Sequence, residues 1–294
     1  MSGFKPLCSL VIVVTVASLS SLFLWTDGRP DDALLCQHLL QSAVVSEPVL
    51  IAIRVAIWVS ILATIIYMHS DKIGRPILVH KVDLTTTEIR LVGLSRFCTF
   101  TVWSWCLQFL FYTLTLALHF ELVNRSYLPI RAAVVLFEVS LSIALLVTSV
   151  VSFVLIPTVA RTQSDLSGFF TLPALMMHNA NVFFMVAEIV LNQVEVKLAH
   201  LPFALLYGVG YIIFSWAVAS RLGYFFYFFI NYNFKHAFVS HLLLIASLGS
   251  FFVLATLVSH YFNPEQNVFS VPILILGSLL ICTVRAPRSE LKTS

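Results

Sequence analysis

Charged side chains are scarce in this chain of 294 residues, and that scarcity excludes most soluble folds. They make up 11% of the residues, against 59% that are hydrophobic, and the mean hydropathy is +0.95. A soluble domain carries roughly 25% charged residues, so this chain cannot cover a globular surface with polar groups. The net charge of +3 offers no extended basic surface for nucleic acid. We therefore predict an integral membrane protein whose partners are membrane lipids and not nucleic acid.

Motifs for metals, disulfides and nucleotides are also missing from the sequence. The five cysteines show no C-x-x-C spacing, and only Cys36 falls in a predicted exterior loop. A structural disulfide or a metal site is therefore not expected. No Walker or dinucleotide-type glycine motif occurs, and we expect no cofactor.

Long apolar stretches, by contrast, are abundant. A helix of about 20 apolar residues crosses the hydrocarbon core of a bilayer. Eight stretches fit this description, the last of them short: 7–25, 49–68, 97–119, 132–156, 169–191, 202–220, 237–259 and 268–284. We predict an all-α, polytopic transmembrane helix bundle that forms one domain over residues 1–294. The first stretch could instead be a signal peptide, but it is long for one and lacks a small-residue cleavage site.

The basic residues predict the orientation of the bundle. Cytoplasmic loops collect lysine and arginine, and most of the 17 lie on the side of the N-terminus when all eight spans are retained. Both termini are therefore predicted to be cytosolic, in an endomembrane or in the plasma membrane. This topology places the glycosylation sequon at Asn124 in an exterior loop.

The segments between the spans are short. Within the cytosolic loop 69–96, residues 71–76 are typical of a turn, and Thr85 to Glu88 are predicted to cap a short interfacial helix. Arg54 lies near the exterior end of its span, so we expect its guanidinium to extend towards the lipid headgroups. No loop is large enough for a catalytic domain, and any chemistry must lie in the membrane or at its edge.

Polar side chains form one stripe on each of three predicted spans. At roughly 3.6 residues per turn, each stripe falls within an arc of about 100°. Polar groups are costly in lipid, so we expect the three stripes to face one shared polar cavity. The alternative is that they hydrogen-bond between helices and serve packing alone. The stripes comprise Thr101, Ser104, Gln108, Tyr112, Thr115 and His119; Glu138, Ser142, Ser149 and Ser152; and Thr171, His178, Asn181, Glu188 and Asn192.

The stripes contain one combination of residues that could carry out chemistry. A threonine hydroxyl is a weak nucleophile until a base removes its proton, and a neutral histidine is the usual base. Thr101 and His178 both fall in the predicted cytosolic half, at depths that differ by about 8 Å at the helical rise. Ionisable groups inside a membrane are candidates for function, which adds Glu138 and Glu188.

Several stretches in this region carry a family resemblance. Residues 100–112 contain a Thr-x6-Gln pattern, residues 177–181 read Met-His-Asn-Ala-Asn with Glu188 ten positions after the histidine, and residues 200–216 begin with His-x-Pro. An aromatic segment follows at 223–228. In this order and spacing they resemble the androgen-induced and rolling stone superfamily of multi-pass membrane proteins. The resemblance covers roughly 97–260 and leaves 1–96 as an N-terminal extension.

The two branches of that superfamily imply different functions. The androgen-induced branch comprises intramembrane threonine hydrolases of fatty acid esters of hydroxy fatty acids, which implies Thr101 as nucleophile and His178 as base. Asn181 or Gln108 would then stabilise the oxyanion, and the remaining candidates would line the substrate cavity: Ser104, Tyr112, Glu138 and Glu188. The rolling stone branch implies a non-catalytic role in fusion, adhesion or signalling. A transporter or a receptor is a third alternative, but the spans show no paired Gly/Pro interruptions, and the loop motifs and the span count of seven-helix receptors are absent.

Overall fold

A computed structural model of the chain describes residues 32–161, 166–262 and 269–283, together with 6, 9, 10, 12–17, 19 and 20. Six helices in these residues are long and apolar enough to cross a membrane, which confirms the polytopic helix bundle. They match the second to seventh predicted spans. Of the first predicted span, 7–25, the described residues 9, 10, 12–17, 19 and 20 are helical, and the others lie outside the described residues. The eighth is a helix of 12 residues, about 18 Å long, which is shorter than the hydrocarbon core.

Ten α-helices are formed by the described residues from Asp32 onward. They are α1 Asp32–Leu40, α2 Glu47–Ser70, α3 Phe100–His119, α4 Tyr127–Val150, α5 Ile156–Arg161, α6 Leu172–Leu175, α7 Asn181–Leu191, α8 Leu201–Leu222, α9 Ala237–Tyr261 and α10 Ser270–Ile281. Two π-helical turns, Val151–Leu155 and Met176–Ala180, join α4 to α5 and α6 to α7. Short 3₁₀ turns occupy Gly93–Cys98, Ser167–Phe169, Leu198–His200 and Phe228–Ile230.

A small antiparallel sheet replaces the helix that we predicted in the loop 69–96. The strands are β1 Arg75–Lys81, β2 Thr86–Leu91 and β3 Tyr224–Phe225, in the order β2-β1-β3. The predicted interfacial helix is therefore wrong. Residues 86–91 alternate between more and less exposed positions with the two-residue period of a strand, and they include β-branched threonines and an isoleucine. The turn predicted around residue 71 is present, with Asp71 Oδ1 accepting the Ile73 and Gly74 N–H groups.

The sheet and α1 mark opposite ends of the bundle. α2 starts shortly after α1 and ends just before β1, and the helices that follow alternate in direction. We call the two ends the sheet side, which is the predicted cytosolic side, and the α1 side. On the α1 side, Leu39 and Leu40 are buried, and the Gln193 N–H donates to the His38 carbonyl over 3.0 Å. α1 therefore covers that end of the bundle.

The central helix is longer than the sequence predicted. α4, the first π turn and α5 form one continuous helix from Tyr127 to Arg161, about 52 Å long at the helical rise. The predicted span ended before Pro157, which has no N–H to donate to the preceding turn. The π turn directly before Pro157 accommodates this missing hydrogen bond, so the helix continues. A length of 52 Å exceeds the hydrocarbon core of about 30 Å, so the helix projects beyond it.

The apolar core is built around α4. This helix packs against α3, α7, α8 and α9. Large side chains fill the contact with α3, where the rings of Phe111 and Phe137 lie 5.7 Å apart and both are fully buried. This packing fixes α3 and α7, which carry most of the predicted site, on neighbouring faces of α4.

Candidate functional site

The polar stripes of α3 and of the helix of His178 do meet, and hydrogen bonds between helices join them. α4 contributes Thr148, which was not a member of its predicted stripe. Gln108 Nε2 donates to the Asn181 carbonyl over 3.3 Å. The Thr148 hydroxyl of α4 lies 2.6 Å from the His178 carbonyl and 3.0 Å from Asn181 Oδ1. These contacts join three helices through backbone and side-chain groups, as the packing alternative expects.

The π turn around His178 explains why these contacts form. Within the turn the backbone bonds shift by one residue, and the Asn181 N–H donates to the Met176 carbonyl. The Val182 N–H, whose partner in a regular helix would be the His178 carbonyl, donates to Asn181 Oδ1 over 2.7 Å. The Thr148 hydroxyl donates to the His178 carbonyl. Asn181 and Thr148 thus satisfy groups that the widened turn would leave without partners.

The other polar residues of the stripes differ in whether their hydrogen-bonding atoms have partners. The Tyr112 hydroxyl donates to the Phe184 carbonyl over 3.0 Å, which ties α3 to α7. Four buried polar atoms on the facing helices find no hydrogen-bond partner among the residues that the structure describes: Ser104 Oγ, Gln108 Oε1, His178 Nδ1 and Asn181 Nδ2. Burying such atoms costs free energy unless a ligand or water pairs with them.

Arg54 does not extend to the headgroups as we expected. It is fully buried and forms a two-point contact with Glu188, with Nε 3.0 Å from Oε1 and Nη2 2.7 Å from Oε2. Nη2 also donates to the Leu39 carbonyl of α1 over 3.0 Å. Glu188, for which we predicted a place on a cavity wall, is instead the counter-ion of Arg54. The cause is α1, which covers the pair and supplies an acceptor.

Two more polar residues complete this cluster on the α1 side. His119 Nε2 lies 2.7 Å from Arg54 Nη1. Because a guanidinium only donates, Nε2 accepts and the imidazole is neutral. Asn192 Nδ2 donates to Glu188 Oε2 over 3.2 Å. All four side chains lie near the helix ends on the α1 side and are joined by hydrogen bonds, while His119 Nδ1 finds no hydrogen-bond partner among the described residues.

Glu138 also forms a structural pair. Its Oε2 lies 2.6 Å from His200 Nδ1, and its Oε1 accepts the Lys197 N–H over 2.9 Å. His200 immediately precedes α8, so Glu138 is level with the beginning of that helix. Glu138 thus fastens α4 to the connection before α8, close to the membrane boundary on the α1 side.

A separate cavity of about 140 Å³ opens between α3, α4, α8 and α9. Its wall is mainly aliphatic and aromatic, with polar tips from Thr101, Tyr211, Tyr227 and Ser247. α8 and α9 approach closely beside it at Gly208, where an added Cβ would lie 2.5 Å from the Leu248 side chain. Of the predicted site residues, Thr101 alone belongs to this wall.

Thr101 lies in the first turn of α3, next to Tyr227. Burial raises the pKa of the Tyr227 phenol, while hydrogen bonding by the Thr101 side chain and by the backbone of Phe100 and Thr101 lowers it. The first N–H groups of a helix have no partner inside the helix. The phenol oxygen therefore lies where the helix end offers donors, beside the threonine hydroxyl. Sequence reasoning missed Tyr227, although the aromatic segment 223–228 contains it.

His178 lies near Thr101 in height but does not contact it. Gln108 and Asn181 are level with each other, because a hydrogen bond joins them. Thr101 lies seven residues from Gln108 towards the sheet side, and His178 lies three residues from Asn181 in the same direction. The difference of four residues corresponds to an axial offset of about 6 Å. His178 is not part of the cavity wall, and no hydrogen bond joins the two side chains. The pairing of Thr101 with His178 stays a prediction.

Arg75 is the second residue that sequence reasoning missed. It begins β1, and its Nη1 donates to the Gly168 carbonyl over 2.8 Å. Burial, and after it the positive charge of Arg96, lower the pKa of Arg75. The charge of Arg75 also helps to lower the pKa of Tyr227. Phe169, which follows Gly168, places its ring 6.2 Å from the His178 ring, so the guanidinium lies on the sheet side of His178.

Comparison with known proteins identifies no relative: no family model, curated protein or solved structure matches the chain. The resemblance to the androgen-induced and rolling stone superfamily therefore stays a prediction.

Proposed function

We propose that this membrane protein binds an acyl lipid in the cavity and hydrolyses an ester of it. The observation that carries the proposal is the Thr101 hydroxyl, which lies on the wall of an otherwise largely apolar cavity. Acyl chains suit such a wall, and a hydroxyl at its edge meets the ester bond of a lipid whose chain lies inside. The resemblance to the threonine hydrolases supports the same residue as the nucleophile.

The reaction would follow the two steps of covalent catalysis. The Thr101 oxygen bonds to the ester carbonyl carbon while its proton moves to a base. The ester C–O bond then breaks, and the leaving alcohol takes that proton. Water next adds to the acyl-threonine, the base takes a proton from it, and the Thr101 oxygen leaves with a proton to release the fatty acid.

His178 would be the base, acting through one water molecule. No direct hydrogen bond joins the two side chains, so the proposal requires a water molecule to carry the proton between them. His178 Nδ1 is buried and has no partner among the described residues, so it is available to such a water. Tyr227 is the nearest candidate donor for the oxyanion, because burial keeps its phenol protonated.

The second candidate is a non-catalytic membrane protein in which the polar stripes hold the bundle together. The hydrogen bonds of Thr148, Tyr112 and Gln108 to facing helices favour it. Under this alternative the cavity binds lipid without turnover, and the unpaired His178 nitrogen has no chemical role.

The test is a hydrolase assay on the purified full chain in phosphatidylcholine nanodiscs, with fatty acid esters of hydroxy fatty acids as substrates. Thr101→Ala is expected to lower the rate by more than about 100-fold, and His178→Ala by about 100-fold or more. Labelling by a fluorophosphonate probe should be lost in Thr101→Ala and retained in Thr101→Ser.

Thr115→Ala is the matched control. Thr115 lies on the same helix, and its hydroxyl donates to the Phe111 carbonyl of its own helix over 2.8 Å, away from the cavity wall. Its rate should stay within about twofold of the wild type, as for a residue outside the reacting groups. Activity that survives both Thr101→Ala and His178→Ala would remove these residues from the mechanism. A folded wild type with neither turnover nor labelling would favour the second candidate.

A further inference from the structure

Arg75 carries a positive charge that no carboxylate in the described part of the chain neutralises. Its guanidinium has one hydrogen bond among those residues, to the Gly168 carbonyl. The neighbouring Arg96 is different, because it pairs with Asp71. A guanidinium offers five donors, so most of the hydrogen-bonding capacity of Arg75 is unused within the described residues.

The position of Arg75 relative to the cavity indicates which ligand its charge could bind. Tyr227, on the cavity wall, packs against the apolar cluster of the sheet that Arg75 begins. Arg75 also binds Gly168, and the next residue, Phe169, places its ring 6.2 Å from that of His178. Arg75 belongs to the sheet, so it lies at the end of the cavity that faces the sheet side. An apolar space that ends near an unneutralised guanidinium matches a molecule with a hydrocarbon chain and an anionic end.

We propose that Arg75 binds the anionic group, a carboxylate or a phosphate, of a lipid whose acyl chain occupies the cavity. This inference rests on the proposed function for the cavity and names its ligand class as acidic, single-chain lipids. A guanidinium can pair with two oxygens of either anion at once, which a neutral glycerol headgroup cannot reproduce. Arg75 would thus select the ligand, while Thr101 carries out the reaction.

The charge preference can be measured by binding alone. The probes are radiolabelled palmitate, 1-palmitoyl lysophosphatidate and uncharged monopalmitin, and the protein is the full chain in phosphatidylcholine nanodiscs. We expect the wild type to bind the preferred anion at least about tenfold more tightly than monopalmitin. Comparison of the two anions then separates a carboxylate ligand from a phosphate ligand.

Substitution of the arginine should remove that preference selectively. Arg75→Gln is expected to weaken binding of the preferred anion about tenfold and to leave monopalmitin binding within about twofold. Arg75→Lys keeps the charge without the planar fork and should give an intermediate affinity. Arg90→Gln is the matched control, because Arg90 lies on the adjacent strand, is exposed and likewise donates to a backbone carbonyl, that of Ile73.

Each result either supports or overturns the inference. Equal affinity of the wild type for charged and uncharged probes would overturn it, even if Arg75→Gln failed to fold. If Arg75→Gln weakened the binding of all three probes equally, Arg75 would have only a structural role at the cavity, and the inference would be overturned. If the anion preference depends on Arg75 but no ester is hydrolysed, the binding inference stands and the hydrolase proposal fails. If charged and neutral esters are hydrolysed equally well, the hydrolase stands and the inference fails.

Discussion

The two sides of the bundle differ in how they satisfy their polar groups. On the α1 side, Arg54 and Glu188 are fully buried and face each other, and Glu138 pairs with His200. On the sheet side, Arg75 has no carboxylate partner and His178 Nδ1 no hydrogen bond among the described residues. Polar groups that bond to one another hold a structure in one arrangement, whereas groups without a partner are available to a ligand. The comparison assigns stability to the α1 side and favours the sheet side for the proposed lipid site.

The largest effect should follow from breaking the Arg54–Glu188 pair. Glu188→Ala leaves the Arg54 guanidinium buried without its counter-ion, which is expected to cost about 3–5 kcal/mol of unfolding free energy. Thermal unfolding of the purified protein in detergent measures the loss. The double variant Arg54→Leu with Glu188→Leu should recover most of it, because no charge then remains buried.

Glu195→Ala is the control for that experiment. Glu195 lies on the same side but is exposed, and its ion pair with His260 is 3.6 Å long and also exposed. Its loss should change stability by less than about 0.5 kcal/mol. A Glu188→Ala protein as stable as Glu195→Ala would break the comparison, because the buried pair would then hold nothing in place.

A smaller loss is expected at the π turn. Thr148→Val keeps the shape of the side chain but removes the hydroxyl that satisfies the His178 carbonyl, which should cost about 1–3 kcal/mol. Thr158→Val is the control on the same continuous helix, since the exposed Thr158 hydroxyl donates only to its own helix at Val154. Equal unfolding temperatures of the two variants would show that the π turn does not need this hydroxyl.

The smallest loss is expected at the partly exposed Asp71–Arg96 pair on the sheet side. The Gly74 N–H, and with it Arg96, lower the pKa of Asp71 below its ordinary value of 3.8. A lowered folded-state pKa stabilises the protein above the unfolded value and loses that effect as the pH falls through the folded value. Asp71→Asn should therefore unfold earlier than the wild type at pH 7, and the difference should shrink below about pH 4. A difference that grows on acidification would contradict this assignment.

The sequence predicted the membrane-spanning helices well because that prediction needs only length and hydropathy. Residues 49–68 and 237–259 lie inside helices that begin and end within two residues of these bounds. The sheet was missed because three threonines followed by glutamate fit a helix cap as well as a strand. Whether these residues form a cap or a strand depends on their pairing with β1, and no pattern within four residues reveals that pairing.

The candidate site was predicted less well because it depends on contacts between distant segments. Arg54 was placed at the headgroups because no pattern in 26–48 shows that α1 folds back over it. Tyr227 and Arg75 were missed because their proximity to the Thr101 region requires the sheet and the loop after α8. Thr101 was identified as a candidate because a polar residue near the start of an apolar helix is visible in the sequence itself, and its role stays a proposal.

The two π turns limit what a helical wheel can show for this chain. A π turn inserts one residue beyond the α-helical count, so side chains before and after it fall out of phase by about 100°. Asn181 and Glu188 lie beyond this turn and are buried, whereas Thr171, which the wheel placed beside His178, is the exposed N-cap residue before the helix. Deleting a single residue within Met176–Ala180 would restore regular phase and turn one half of that helix away from its neighbours.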